Sequence, residues 1–341
     1  LVISVPLGFF GGIGASSNLG VLVKGSNYLE AVAEMTTIVF DKTGTLTKGE
    51  FKVSEVLPVN GSKEELLELA AHVEGYSNHP IANSVREAYG KEPDMNRVTG
   101  TEEIAGHGIH TFVDGKEVWL GNAKMMAARN ISYTENSSAG TVIYVAVDGA
   151  FAGTIVISDS IKEGVKEAIH SMKKVGVKKC VMLTGDRKAA AQAVADELGL
   201  DEVHAELLPG DKVSEVEALL KEQQEKEKLA FVGDGINDAP VLTRADIGIA
   251  MGSMGSDAAI EAADVVLMDD DVRKIASLVK IARKTLSIVR QNIVFAFGVK
   301  AIVLILGAFG IANMWEAVFA DVGVSVIAIL NSMRTLRIAK K

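Results

Sequence analysis

Short apolar runs alternate with helix-length stretches from residue 154 to about residue 266. Turn-forming or charged residues bound each run, and alternation of this kind predicts an open parallel sheet with helices on its faces. We therefore expect an α/β fold built on a doubly wound parallel sheet, beginning with the apolar run that ends at Phe40. The later predicted strands are residues 180–183, 230–232, 247–249 and 265–267.

Residues 50–153 interrupt that alternation. Two helix-like stretches, residues 63–73 and 81–89, precede two strand-like stretches, residues 142–147 and 151–157. Alternating apolar and polar positions predict half-buried strands. We expect a separate α+β domain inserted into the sheet domain.

Two long apolar stretches, residues 293–311 and 315–330, predict a hairpin of transmembrane helices. With their flanks, both approach the roughly 20 residues needed to cross a bilayer. Both outer flanks are basic, which predicts that both ends are cytoplasmic. A buried helical hairpin in a soluble core is the alternative. The basic residues are Arg283, Lys284 and Arg290 before the hairpin and Arg334, Arg337, Lys340 and Lys341 after it.

Composition narrows the class of protein. The 341 residues are 48% hydrophobic, and the mean hydropathy of +0.24 is high for a purely soluble protein. A net charge of −9 argues against a nucleic-acid binder, which needs a basic face. The single cysteine, Cys180, excludes an internal disulfide and a site built from several cysteines. The apolar start lacks the basic segment of a signal peptide, so we expect a membrane helix cut part-way and a chain that is a fragment.

Residues 41–47 read Asp-Lys-Thr-Gly-Thr-Leu-Thr and follow an apolar strand. Asp41 should therefore stand at a strand tip, where a substrate can reach it. A carboxylate in that position can attack a phosphorus atom and form an aspartyl-phosphate.

Three later segments supply what that reaction needs. Residues 184–186, Thr-Gly-Asp, offer a hydroxyl and backbone N–H groups, and Lys212 offers a cation for the phosphoryl oxygens. Residues 233–238, Gly-Asp-Gly-Ile-Asn-Asp, offer carboxylates for Mg²⁺. Each segment alone is compatible with an ordinary turn or a surface lysine. Together, in this order at the C-terminal ends of predicted strands, they predict a phosphoryl-transfer site.

This order of segments resembles the haloacid dehalogenase fold, and residues 41–47 resemble the phosphorylation signature of P-type ATPases. The resemblance implies that ATP and Mg²⁺ are the cofactors and that Asp41 is the nucleophile. It implies Mg²⁺ ligands from Asp41, Asp234 and the backbone carbonyl of Thr43, with Asp238 supporting them. The implied catalytic residues are Asp41, Lys42, Thr43, Thr184, Gly185, Asp186, Lys212 and Asn237.

A soluble phosphatase of the same fold is the main alternative. Such phosphatases usually carry a second aspartate two positions after the nucleophile, as a general acid and base. Thr43 stands there and cannot do that work, so the aspartyl-phosphate should persist, as a pump requires. A non-catalytic ATP-binding remnant is a third interpretation.

Two segments of the insertion resemble the nucleotide-binding domain of heavy-metal P-type ATPases. They are residues 74–81, Glu-Gly-Tyr-Ser-Asn-His-Pro-Ile, and residues 106–109, Gly-His-Gly-Ile. The family often has a further small residue where Thr111 stands here. A metal site at His107 and His110 is the less favoured interpretation of the histidines. The resemblance implies contacts to adenine and its sugar from Glu74, His79, Gly106 and Gly108.

Lys300 and Asp321 lie at similar depths in the predicted hairpin. Charges within a bilayer are costly, so these residues are functional candidates. The carboxylate can take a divalent ion beside a built-in cation; a purely structural ion pair is the alternative. The pairing resembles the zinc, cadmium and lead exporters among heavy-metal P-type ATPases, and residues 1–6 resemble the stretch after their Cys-Pro-Cys segment.

That resemblance implies export of zinc, cadmium or lead by a bilayer protein, expected in a bacterial plasma membrane with its ATP-using domains in the cytoplasm. It also implies a missing N-terminal half of the same pump. The expected organisation is residues 1–24 as helix end and linker, 25–49 and 154–285 as the phosphorylation domain, 50–153 as the nucleotide-binding domain, and 286–336 as the transmembrane hairpin.

Overall fold

The computed structural model describes residues 3–77, 79–136, 140–235, 238–252, 256–310 and 314–336. The chain divides into two compact units. The sheet unit comprises residues 1–46, 163–185 and 195–341, and the inserted unit comprises residues 47–162 and 186–194.

The strands, in chain order, are β1 (Val21–Val23), β2 (Met35–Asp41), β3 (Thr47–Pro58), β4 (Val98–Ile104), β5 (Gly108–Val113), β6 (Lys116–Gly121), β7 (Thr141–Val147), β8 (Ala150–Ile161), β9 (Lys179–Leu183), β10 (Glu202–His204), β11 (Lys228–Gly233), β12 (Ile247–Met251) and β13 (Val265–Leu267). The α-helices are α1 (Ser4–Asn18), α2 (Ser26–Glu34), α3 (Lys63–Val73), α4 (Pro80–Tyr89), α5 (Ala123–Ala128), α6 (Val165–Lys174), α7 (Lys188–Leu198), α8 (Pro209–Lys221), α9 (Ala239–Arg244), α10 (Asp257–Ala262), α11 (Arg273–Ala308) and α12 (Met314–Ser332).

The sheet unit is organised around seven strands in the order β1-β13-β12-β11-β2-β9-β10. All neighbours pair in parallel except β1, which runs antiparallel to β13 at one edge. The α/β prediction and the parallel sheet are confirmed; the short antiparallel edge strand was not predicted. The central strand β2 lies between β11 and β9, and helices cover both faces, so Phe40 and Phe231 are fully buried.

The register of these strands decides what meets at their C-terminal edge. Phe40 pairs with Val232, and Asp41 pairs with Leu183. The residues that follow β9 and β11 therefore emerge beside Asp41, as expected of parallel strands that end together.

The inserted unit contains a six-stranded antiparallel sheet in the order β3-β8-β7-β6-β5-β4. Helix α3 packs on it and begins with a capping box, in which Ser62 Oγ accepts from the Glu65 N–H and the Glu65 carboxylate accepts from the Ser62 N–H. The unit extends beyond both ends of the insertion predicted at residues 50–153. The reason is the long pairing of β3 with β8, which starts at Thr47 opposite Ile161.

Helices α11 and α12 are long and apolar enough, by length and composition, to cross a membrane. Helix α1 packs against both of them through glycines. A Cβ on Gly8 would come within 2.8 Å of a Val289 methyl, and one on Gly12 within 2.5 Å of the Thr285 hydroxyl. Small residues of this kind let helices approach one another closely. Residues 311–313, between α11 and α12, lie outside the described residues, as do Arg337, Lys340 and Lys341.

Candidate active site

Asp41 is the last residue of β2, and its side chain is only 10% exposed. The chain turns sharply immediately afterwards, with extended backbone at Thr43 and a left-handed conformation at Gly44 (φ 75°). Lys42 is also buried, whereas Thr43 is exposed. The strand therefore presents the Asp41 carboxylate at the sheet edge, as the sequence predicted, with the chain folding back at Gly44.

Lys212 lies in the first turns of α8 and points its ammonium at two carboxylates. Its Nζ donates to Asp41 Oδ1 at 2.6 Å and to Asp238 Oδ1 at 2.9 Å. Asp41 and Asp238 are separated by 197 positions in the sequence, and the fold of the sheet unit brings them together. The contact of Lys212 with Asp238 was not predicted, because the sequence analysis assigned Lys212 only to the oxygens of the phosphoryl group.

Asp234 follows β11 and completes an acidic cluster with Asp41 and Asp238. One carboxylate oxygen from each lies within 4.8 Å of the others. A Cβ at Gly44 would overlap the Asp234 carboxylate, so glycine is required there for space as well as for its backbone conformation. Three close carboxylates are hard oxygen donors, and they fit a divalent cation such as Mg²⁺.

The charges of the cluster shift one another's ionisation. Burial raises the pKa of Asp41 to about 6, and the repulsion of Asp238 adds to this although Lys212 opposes it. Burial acts against the charge on Lys212, but Asp41 and Asp238 outweigh it and raise the pKa of Lys212. The lysine therefore stays cationic, and the nucleophile is held less acidic than a carboxylate in water.

Thr184 directly follows β9 and is buried. Its N–H donates to the His204 carbonyl at 3.0 Å, and its own carbonyl accepts from the Leu207 N–H at 3.1 Å. These bonds fix the loop at the edge that also carries Asp41. Gly185 remains in the sheet unit, whereas Asp186 belongs to the inserted unit. Asn237, another of the implied catalytic residues, lies outside the described residues.

In the inserted unit, Glu74 follows α3 and is buried. Burial raises the pKa of Glu74 to about 7, although Arg86 and a hydrogen bond from Ser77 act in the opposite direction. His79 caps the start of α4, where its Nδ1 accepts from the Ile81 N–H at 3.2 Å. A local structural role for His79 therefore accompanies the nucleotide contact implied by the resemblance.

The glycines of residues 106–109 differ in what surrounds them. Gly106 has a φ of 71° in the turn between β4 and β5, and a Cβ there would meet no atom within 4 Å. Gly108 has a φ of 147°, and a Cβ there would overlap the Leu120 carbonyl of the adjacent strand β6. Gly106 thus leaves open space beside the backbone, while Gly108 is required by strand packing.

Thr111, which departs from the family pattern, is fully buried, and hydrogen bonds to neighbouring residues account for a hydroxyl at this position. Its hydroxyl contacts the Thr101 hydroxyl at 2.9 Å and donates to the Thr99 carbonyl at 3.1 Å. Neither nearby histidine points to a metal. His110 stacks on Trp119 with ring centroids 3.9 Å apart, and the His107 ring bonds the Ala105 carbonyl.

Lys300 of α11 and Asp321 of α12 face one another. Nζ of Lys300 lies 3.2 Å from Asp321 Oδ1, at the side of a cleft of about 260 Å³ between the two helices. Apolar side chains form the rest of the cleft, including Val303 and Val324. The pairing that equal depth predicted is therefore present in the structure.

Comparison with known proteins identifies a family for this chain. Residues 35–246 match the model of the haloacid dehalogenase-like hydrolases. The chain belongs to the haloacid dehalogenase-like hydrolase family. The matched stretch begins at β2 and includes Asp41, Thr184, Lys212 and Asp234.

Curated relatives of the chain carry the names of transporting ATPases. The chain is 58% identical over 342 residues to a cadmium, zinc and cobalt-transporting ATPase of Bacillus subtilis (strain 168), covering 100% of this chain and 49% of the relative. It is 55% identical to a zinc-transporting ATPase of Synechocystis sp. (strain ATCC 27184 / PCC 6803 / Kazusa), covering 98% of this chain and 46% of the relative. The chain therefore spans about half the length of the curated relatives it matches.

A solved structure agrees with these sequences. The crystal structure of a zinc-transporting PIB-type ATPase in an E2·Pi state has a TM-score of 0.86 and 38% identity, covering 98% of this chain and 55% of that one. The resemblance to heavy-metal P-type ATPases is confirmed by these similarities. Cobalt, which one relative's name includes, was not among the ions predicted from the sequence.

Proposed function

We propose that this chain is the ATP-using part, with two membrane helices, of a P-type ATPase that exports a divalent heavy metal. The observation that carries the proposal is the contact of Lys212 Nζ with Asp41 Oδ1 at 2.6 Å inside the cluster of three carboxylates. That arrangement pairs a nucleophile with a cation at the edge of a sheet where ligands bind.

In the proposed reaction, a carboxylate oxygen of Asp41 attacks the γ-phosphorus of ATP. A new O–P bond forms as the bond to the bridging oxygen breaks, and ADP leaves with that electron pair. Lys212 is placed to stabilise negative charge on the transferred group, and the Thr184 loop is the proposed second set of contacts. The other residues proposed to act in this reaction are Lys42, Thr43, Gly185, Asp186 and Asn237.

Asp41 and Asp234 are the proposed Mg²⁺ ligands, with the Thr43 carbonyl beside them and Asp238 in support. Bound there, Mg²⁺ would neutralise part of the phosphate charge. Asp238 also accepts from Lys212, so removing it would disturb the cation as well as the metal site.

The proposed nucleotide contacts are Glu74, His79, Gly106 and Gly108. The open space beside Gly106 supports close approach of a ligand to the backbone there. The Glu74 carboxyl, with its pKa near 7, can donate or accept a hydrogen bond near neutral pH. For Gly108, close packing against the Leu120 carbonyl of β6 already requires a glycine.

The proposed membrane hairpin is α11 and α12, with both outer ends and the ATP-using units on the cytoplasmic side. Lys300 and Asp321 are the proposed transported-ion site. Zinc and cadmium are the favoured ions because relatives over the whole chain carry these metals in their names. Lead is retained from the sequence resemblance. A soluble phosphatase is disfavoured by Thr43 and by the long apolar helices.

Acid-quenched phosphorylation tests the chemistry. Full-length protein in membranes is incubated with γ-labelled ATP and Mg²⁺, quenched in acid and treated with hydroxylamine. We expect an acid-stable, hydroxylamine-sensitive label that Asp41→Asn abolishes. A label of unchanged size in Asp41→Asn would reject the proposed intermediate.

A metal panel tests the substrate. ATP hydrolysis by the full-length protein is compared across zinc, cadmium, cobalt, lead and copper. We expect the strongest stimulation by zinc and cadmium. Stimulation by copper alone would contradict the assignment of Lys300 and Asp321.

A further inference from the structure

Arg283 of α11 donates hydrogen bonds to backbone carbonyls at the ends of two other helices of the sheet unit. Its Nε donates to the Ala33 carbonyl at 3.0 Å, and its Nη1 donates to the Val175 carbonyl. Its Nη2 approaches the Met35 carbonyl at 3.5 Å. One guanidinium thus contacts the ends of two separate helices, α2 and α6.

Both contacts are made where a cation is favoured. Ala33 lies in the last turn of α2, and Val175 is the C-terminal cap residue of α6. The last carbonyls of a helix lack partners within the helix and carry partial negative charge. Gly176 makes room, since a Cβ there would lie 2.9 Å from Arg283 Nη1. The planar fork of arginine can reach carbonyls on two elements at once, which a lysine ammonium does less well.

The two helices lead into the two strands of the phosphorylation site. Helix α2 passes directly into β2, which ends at Asp41, and α6 leads into β9, which Thr184 follows. The strands are adjacent and parallel, and the Lys178 N–H donates to the Thr36 carbonyl at 2.7 Å where they begin. Arg283 therefore contacts the two helix ends that lead into β2 and β9, and Asp41 lies about 20 Å from the start of β2 at 3.3 Å per residue.

On its other side, Arg283 belongs to one unbroken helix. Helix α11 runs from Arg273 to Ala308 and carries Lys300 about 25 Å beyond Arg283, at 1.5 Å per residue. Helix α11 also packs against α2 and α6, so a displacement at the phosphorylation site can be carried along this helix to the hairpin. Rigid secondary-structure elements are among the structures that carry coupling between distant sites.

We propose that Arg283 is the positioning residue that couples phosphorylation of Asp41 to movement of α11, an inference that rests on the proposed function. Arg283 touches no reacting atom in this role. It makes α11 follow the two strands, so that the state of Asp41 and the state of the Lys300–Asp321 site depend on each other. Such reciprocity is what a coupling free energy between two sites means.

The test compares metal control with chemistry in full-length protein in membrane vesicles. The variants are Arg283→Gln, Arg283→Lys and the matched control Lys284→Gln, which changes an exposed cation one residue along the same helix. Each is measured for phosphoenzyme formed from labelled ATP and for ATP hydrolysis with and without zinc. The informative quantity is the ratio of zinc-stimulated to basal hydrolysis, because a loss of folded protein lowers both terms equally.

We expect Arg283→Gln to lower that ratio about tenfold while phosphoenzyme still forms on Asp41. Arg283→Lys should fall between this variant and the parent, and it serves where the glutamine variant folds poorly. Lys284→Gln should keep the parental ratio. An unchanged ratio in Arg283→Gln, or phosphoenzyme and stimulated hydrolysis that fall in the same proportion, would overturn the coupling role.

Measurements on the parent protein distinguish a failure of this inference from a failure of the proposed function. A parent that forms no Asp41-dependent phosphoenzyme overturns the proposed function, and the coupling role with it. A parent with normal zinc stimulation and an indifferent Arg283→Gln overturns the coupling role alone.

Discussion

Two lysine–aspartate pairs occupy contrasting places in this chain. Lys212 and Asp41 are 2.6 Å apart with side chains 13% and 10% exposed. Lys300 and Asp321 are 3.2 Å apart with side chains 52% and 61% exposed. The first pair is enclosed by strand ends and α8 of the sheet unit, and the second lies between two apolar helices.

The difference in burial determines whether the electrostatics of each pair are set by neighbouring residues of this chain or by the surroundings of its helices. Burial and Asp238 raise the pKa of Asp41 to about 6, so its ionisation is set by described neighbours. The attraction within the Lys300–Asp321 pair depends instead on what surrounds α11 and α12, because Coulomb energy grows as the local dielectric constant falls. The catalytic pair should therefore be sensitive to local substitutions, and the helix pair to the environment of the helices.

Removing the buried lysine should have the largest effect. Lys212→Ala leaves Asp41 and Asp238 facing each other without their cation, and the transferred phosphoryl loses a stabilising charge. We expect the rate of phosphoenzyme formation to fall about 10²- to 10³-fold, measured by rapid acid quench. Lys178→Ala is the control, because its side chain is 67% exposed at the other end of the sheet. An equal fall in the rate of phosphoenzyme formation in both variants would contradict a specific role for the buried Lys212.

Glu74 extends the comparison to a buried carboxylate of the inserted unit. Its pKa is raised from 4.5 to about 7 by burial, so the folded state binds the proton more tightly than the unfolded state. The free energy of unfolding should therefore fall as pH rises from 4.5 to 7, by up to about 3 kcal/mol. Glu74→Gln should remove this pH dependence.

Unfolding can be followed for the inserted unit by Trp119 fluorescence in a Trp315→Phe background, since the chain has two tryptophans. Glu103→Gln is the control, because Glu103 contributes only repulsion to Glu74. A Glu74→Gln protein that still loses stability over the same pH range would show that another group titrates.

Gly44→Ala tests how tightly the acidic cluster is packed. The added Cβ would overlap the Asp234 carboxylate, and the φ of 75° would be strained. We expect phosphoenzyme formation to fall about tenfold to a hundredfold, because displacement of a positioned group by about 1 Å has effects of that size. Gly199→Ala is the matched control, with a φ of 70° and no atom within 4 Å of the new Cβ. Similar losses in both variants would assign the effect to backbone strain alone.

Removing the exposed carboxylate should have the smallest effect on chemistry and a selective effect on metal. Asp321→Ala should lower zinc-stimulated hydrolysis about tenfold while phosphorylation of Asp41 from inorganic phosphate continues. Glu316→Ala, also on α12, is the control. Intact zinc stimulation in Asp321→Ala would mean that the helix pair is only a structural ion pair.

Much of the fold could be predicted because its signals are local. Residues 63–73 were predicted as a helix and form α3, and residues 265–267 were predicted as a strand and form β13. The insertion limits of residues 50–153 stay a prediction, since β3 and β8 pair across more than a hundred residues and no local pattern reveals where that pairing stops. The antiparallel edge strand β1 is only three residues long and carries almost no periodic signal.

The sequence alone determined which residue types are available for chemistry: a carboxylate after an apolar strand, a distant lysine, a cluster of aspartates and two charges in apolar helices. Only the tertiary structure decided that Lys212 bridges Asp41 and Asp238, that Gly44 makes space for Asp234, and that Arg283 joins α11 to the ends of two other helices. The physical reason is distance along the chain. Side chains far apart in sequence meet only through strand order and helix packing, and the backbone carbonyls that Arg283 binds are present at every residue and leave no mark in the sequence.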